Sequence, residues 1–262
     1  MPVITKQAAS LEELLDITLV IVRQLPEDAF LWFRGASKGT FKLLPGLMRE
    51  NKASAQIFDR ERRLLTRFRQ RSLPYWAAGY PQSDWEHLFA MQHYGMPTRL
   101  LDWTENLFVA AHVALSTPVE EEAIATIWCV NPIAWNRATP VLSEFGESIQ
   151  VLTTSDDDLE PYRPDTDRRR TKSPVAMFGT HNSGRIVAQR GTFFIWGEDC
   201  RSLEDFANEM PLTELWKIEV VGDKMKLAQE LKLLGFGETM VFPELTALAT
   251  ELARIEGWRP LK

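Results

Sequence analysis

The chain has 262 residues, 45% hydrophobic and 25% charged, with nine Trp and fourteen Phe, which excludes a disordered or fibrous chain and supplies apolar surface for a sizeable core. A formal net charge of −6 speaks against wholesale adhesion to nucleic acid or anionic membrane, while leaving room for a local basic groove. Cys129 and Cys200 lack metal-ligand spacing and read as reduced thiols, and no apolar run is long enough for a signal peptide or membrane span, so a cytoplasmic protein without a membrane partner is expected.

Taken in order, Ser10 and Glu13 form a capping box opening a helix that Pro26 follows, and residues 1–29 read as an N-terminal helical segment. Phe30–Phe33 is a short apolar run between turn signals, a buried strand delivering Arg34 at its end. Residues 53–71 carry helical periodicity with Arg60, Arg62, Arg63, Arg67, Arg69 and Arg71, a solvated face rather than a phosphate-contacting stripe, with Ile57, Leu64, Leu65 and Phe68 turned inward. Ser83 and Glu86 open a second helix that Gly95 and Pro97 end, residues 98–104 are extended, and Asn106 caps the apolar helix that follows. Residues 123–130 read as a strand. Residues 153–173, with a run of aspartates, a run of arginines and two prolines, read as a mobile loop able to act as a lid. Residues 185–196 suggest two short strands around Gly191 or one strand bulged there, and residues 224–234 and 244–255 amphipathic helices. Strands scattered among helices of unequal length give an α+β fold: residues 30–262 form one domain with a small mixed sheet flanked by helices.

Several chemistries have no support. There is no Gly-rich phosphate loop, no Gly-x-Ser-x-Gly elbow, and the four histidines (His87, His93, His112, His181) lack metal-site pairing. What remains is Phe33-Arg34-Gly35 and the segment around Gln92, His93, Thr98, Arg99, Asp102 and Thr104, polar groups set between apolar stretches. A buried charge costs several kcal/mol unless paired, so Arg99 and Asp102 are partners of each other or parts of a site, and Arg34 either binds a ligand or bridges to Asp102. A guanidinium fork suits phosphate or carboxylate, and Gly35 beside it would let backbone approach a ligand.

These stretches, FRG, LLPGLMRE, QHYGMPTRLLDWTENLFVAAHVAL, RIVAQRGTFFIW and LGFGETMVFPELTALATELARI, resemble the FRG-domain family from about Phe30 onward. A weaker resemblance is to ADP-ribosyltransferases, in which three elements surround a cleft for NAD. Phe33-Arg34-Gly35 looks like the first, Asp102-Trp103-Thr104 with Ala110-Ala111 like the second, and Gln189 stands where the third carries its Glu. The resemblance implies Arg34, Asp102, Thr104 and Gln189 as catalytic residues, with Glu198 as another source of negative charge. It also implies Arg34, Gly35, Gln92, His93, Tyr94, Thr98, Arg99, Trp103 and Phe193 as contacts to NAD, which is the substrate, with a protein or nucleic-acid acceptor and no metal. The alternative is a non-catalytic FRG module that binds a protein or nucleic acid.

Overall fold

The computed structural model describes residues 3–50, 53–76, 79–116, 123–140, 142, 150–166, 168, 170–180, 183–210 and 214–258. His181, Asp167 and Arg169 lie outside the described residues. The elements in chain order are strand β1 (Val3–Ala8), helix α1 (Leu11–Val22), β2 (Trp32–Ala36), α2 (Ser54–Ser72), α3 (Asp84–His93), β3 (Leu100–Thr104), α4 (Leu107–Ser116), β4 (Ala125–Val130), α5 (Pro132–Ala138), β5 (Val175–Phe178), α6 (Gly184–Gln189), β6 (Gly191–Ile195), α7 (Leu203–Glu209), β7 (Leu215–Val220), α8 (Lys224–Leu233), α9 (Glu238–Val241) and α10 (Leu245–Ile255). This is the α+β arrangement expected, a mixed sheet flanked by helices.

The capping signals act where their residues predict. Ser10 Oγ accepts from the Glu13 amide, Ser83 Oγ from the Glu86 amide, and Asn106 Oδ1 from the amides of Phe108 and Val109, each supplying an acceptor to otherwise unpaired helix-start donors. The Glu13 and Glu86 carboxylates reach back one residue further than a strict capping box, to the amides of Ala9 and Gln82.

Three elements depart from the sequence reading. β1 precedes the expected N-terminal helix and pairs in parallel with β7, from Val3↔Leu215 to Ala8↔Val220. β2 runs on to Ala36, so Arg34 sits inside the strand rather than at its end. Residues 184–189 are helical rather than extended: Ser183 caps α6, and Arg190 stops it with φ 45, so the left-handed turn falls one residue before Gly191 and no bulge is needed.

The strand order is β1-β7-β4-β2-β3-β6-β5. β2 pairs with β4 along five positions and β3 with β6 along five, but β2 and β3 share only Phe33↔Thr104. The sheet is therefore two halves hinged at one residue pair. On one face a continuous core crosses both halves, with Trp32, Trp128 and Trp135 meeting Leu101, Trp103 and Phe194. On the other face the core is divided. One cluster packs α1, α4 and α8 on the β1-β7-β4-β2 half (Leu14, Ala110, Ala111, Ile127, Leu227), and another packs α3 and α6 on the β3-β6-β5 half (Leu88, Phe89, Ile186, Phe193, Ile195). The gap between them lies over the hinge.

α4 approaches β2 closely because of Gly35. A Cβ there would stand 2.0 Å from the Ala110 carbonyl oxygen and 2.8 Å from the Ala114 amide nitrogen. The glycine of the Phe-Arg-Gly stretch thus makes room for a helix.

Candidate functional site

Where the two halves part, a cavity of about 230 Å³ opens, lined by residues from both, among them Arg34, Gln92, His93, Asp102, Arg185 and Gln189. Three positions that lie far apart in the chain, Arg34, Asp102 and Gln189, are brought to one cleft. Gly35, Trp103, Thr104 and Phe193 border it as well.

Arg34 occupies the gap left by the missing β2–β3 ladder. Its Nη1 donates to the main-chain oxygen of Asp102, not to the Asp102 carboxylate, so the side-chain bridge that is one of its two readings is not formed. Among the described residues, no hydrogen bond from its Nε or Nη2 accompanies that one. Burial lowers the guanidinium from its ordinary pKa, Asp102 opposes that shift and Arg49 adds to it. The cation is thus partly stripped of water and, among the described residues, left without a carboxylate in contact.

Asp102 is held from the other side. Gln92 Nε2 donates to Asp102 Oδ2 at 2.7 Å, and Thr98 Oγ1 donates to Gln92 Oε1 at 2.6 Å. That relay fixes which way the Gln92 amide faces and aims the exposed Asp102 carboxylate into the cleft. His93 adds a ring whose Nδ1 is buried without a partner and whose Nε2 lies 3.7 Å from Glu244. Burial, then Arg185, lower its pKa, while Glu244 raises it. Arg185 lies over the Phe242 ring at 4.8 Å and completes a rim with charge of both signs.

Other expected contacts are placed elsewhere. Arg99 is fully buried outside the cleft, and its donors are spent on Glu61 Oε2 (2.8 Å) and on the main-chain oxygens of Trp196 and Tyr162, with Phe58 beneath the guanidinium at 4.7 Å. It is a structural cation, paired with Glu61 rather than Asp102. Thr98 is fully buried and reaches the site only through Gln92. Tyr94 points away, onto a surface formed with Trp76 and Phe68. The Trp103 ring lies in the continuous core against Phe194, with 5.5 Å between centroids. Phe193 keeps its place but is stacked on Phe89 at 5.1 Å.

Thr104 and Gln189 meet each other before they meet any ligand. Thr104 Oγ1 donates to the Gln189 main-chain oxygen and accepts from the Asn106 amide, and Gln189 Nε2 donates to Val241 O at 3.0 Å. Glu198 is not in the cleft: the cleft lies at the Gly191 end of β6, and Glu198 follows the opposite end, beside Thr171. Among the described residues lining the cleft, Asp102 is the carboxylate. The described part of residues 153–173 does not cover it either. Tyr162 is buried behind Arg99, and Arg170 lies over Phe58 at 3.8 Å, so the segment packs beside α2.

Sequence reasoning missed Arg185 and Phe242. Arg185 opens a segment read as strand; as the second residue of α6 it turns to the cleft, a placement that Ser183 as cap could have signalled.

Among the described residues, no helix is long and apolar enough to cross a membrane, and no cluster of three or more His, Cys, Asp or Glu could hold a metal. Residues 29–123, the stretch from β2 to α4, match the family model of the FRG domain. That stretch supplies Arg34, Gln92, His93 and Asp102, whereas Arg185, Gln189 and Phe242 come from beyond it. Comparison with curated proteins and with solved structures gives no match.

Proposed function

We propose that the cleft binds NAD as substrate and that the chain is a cytoplasmic ADP-ribosyltransferase-like enzyme, or NAD glycohydrolase, with a macromolecular acceptor. The observation that carries this reading is Arg34: a desolvated guanidinium at the parting of a split sheet, bonded among the described residues through Nη1 to one main-chain oxygen. Such a group suits the doubly charged pyrophosphate of a dinucleotide. A cavity of about 230 Å³ is smaller than the ~300–1,000 Å³ of typical ligand pockets, and fits one nucleoside half with the remainder along the open rim.

The chemistry asks little covalent work of the protein. The bond between nicotinamide nitrogen and ribose C1′ breaks with its electron pair leaving on nicotinamide. The Asp102 carboxylate, steadied by Gln92, stabilises the positive charge that develops on the ribose. The acceptor nucleophile then bonds C1′ and releases its proton to solvent. Arg34 and Arg185 hold the phosphates, with His93 beside them on the cleft wall.

One observation favours a non-catalytic binding module instead: the Thr104 hydroxyl proton and the Gln189 amide, the polar groups a transferase would spend on the ribose, are committed to protein oxygens. The two readings separate in one pair of measurements. NAD at about 100 times its dissociation constant should add ~2.7 kcal/mol to stability, and labelled NAD should release nicotinamide. Arg34→Lys should abolish the stabilisation, because it keeps the charge and loses the fork. A shift without turnover selects the binding module, and the absence of both refutes NAD as the ligand.

A further inference from the structure

A second surface begins where the cleft ends. On α2, Arg60, Arg62 and Arg69 are neutralised by Glu50, Asp59 and Asp84, but Arg63, Arg67 and Arg71 have no acidic partner among the described residues and are exposed. Four-residue spacing puts these three on one face, about 6 Å apart along the axis. The stripe runs into aromatic rings. Arg71 shares a hollow of about 380 Å³ with Phe68, Tyr75, Trp76 and Tyr94. Tyr75 is 84% exposed and Tyr94 67%. Trp76 meets Phe68, Tyr80 and Tyr94 at 6.2–6.4 Å, always edge-on, so none of these pairs is stacked. Tyr94 in turn abuts His93, on the cleft wall, at 4.7 Å.

Scattered exposed aromatics are ordinary, but a contiguous set beside unpaired arginines is not. We infer that this face binds single-stranded nucleic acid and leads it to the cleft. The arginines meet successive phosphates, and Tyr75, Trp76 and Tyr94 offer ring faces to unstacked bases. The rings decide between occupants: an acidic peptide would satisfy the arginines and leave the rings without planar partners, whereas a single strand uses both. As a statement about the acceptor of the transfer reaction this rests on the NAD reading; as a statement about binding it does not.

The test uses the full chain without NAD and a fluorescent twelve-nucleotide single strand, with the matching duplex and polyglutamate as competitors. Binding should weaken with salt. Arg63→Gln/Arg67→Gln/Arg71→Gln should lower the slope of log affinity against log salt by about 2, at ~0.7 per phosphate contact. Tyr75→Ala and Tyr94→Ala, both exposed and safe for folding, should each weaken binding about fivefold or more with the slope unchanged. Equal competition by polyglutamate, or tyrosine variants that bind like the parent, would overturn the inference in favour of plain polyanion adhesion. So would failure to bind at low salt, which would leave the face to a protein partner. An NAD effect with no oligonucleotide binding rejects this face and keeps the cleft; the converse rejects NAD and keeps the face.

Discussion

Glu61→Gln should destabilise the protein more than its conservative chemistry suggests. Glu61 and Arg99 have side chains with no exposure, and the carboxylate is the counter-charge in contact with a guanidinium otherwise bound only to neutral carbonyls. The glutamine oxygen can still accept from Arg99 Nε, but the ion is left uncompensated. The other amide position inherits the place of Glu61 Oε1, a buried atom with no partner, and there becomes an unsatisfied donor. Breaking a buried pair on one side costs about 3–5 kcal/mol, a large part of the ~5–15 kcal/mol that holds a native protein together. Urea denaturation should show the midpoint falling at unchanged slope. The exposed pair supplies the contrast: Arg62→Gln, facing Asp59 with both side chains more than half exposed, should change stability by no more than about 1 kcal/mol. Two equal small effects would refute the reasoning, because they would mean that the Arg99 charge is solvated. The double change Glu61→Leu/Arg99→Met should cost less than the two singles together, since it leaves no unpaired charge.

Further outcomes follow from the same geometry. Gly35→Ala drives a Cβ into main-chain atoms of α4 that cannot rotate away, so it should cost about 3 kcal/mol, the upper part of the overpacking range, in a thermal melt without any ligand. His87, His93 and His112 all have pKa values lowered chiefly by burial, so the unfolded chain takes up protons first as pH falls through about 6.5. Stability should therefore be full above that value and decline below it, and melting temperatures between pH 7.5 and 5.5 should show the loss. Thr98→Val removes the donor that orients Gln92, so nicotinamide release should drop while NAD binding is retained, which a turnover assay and a binding titration distinguish. Proteolytic cleavage within residues 163–172 should proceed at the same rate with and without NAD, because the described part of that segment packs beside α2.

The sequence by itself determined what depends on near neighbours. Ser10, Ser83 and Asn106 announce helix starts because a capping oxygen and the amides it serves lie within three residues. The apolar run of α4, the β-branched and aromatic β4, and the grouping of Arg34, Asp102 and Gln189 as polar residues in apolar surroundings were legible for the same reason. Tertiary structure decided the rest. β1 is a polar-looking hexapeptide whose partner, β7, lies some two hundred residues away, so no local pattern reveals it. The six-residue α6 is too short for its periodicity to outweigh the β-branched and aromatic residues around it. Arg99 had to pair, as the cost of a buried charge requires, but that its partner is Glu61 rather than Asp102 depends on how α2 packs beneath the sheet. The cleft itself belongs to no segment. It exists because β2 and β3 meet at one residue pair and then part, and only the packed sheet sets that register.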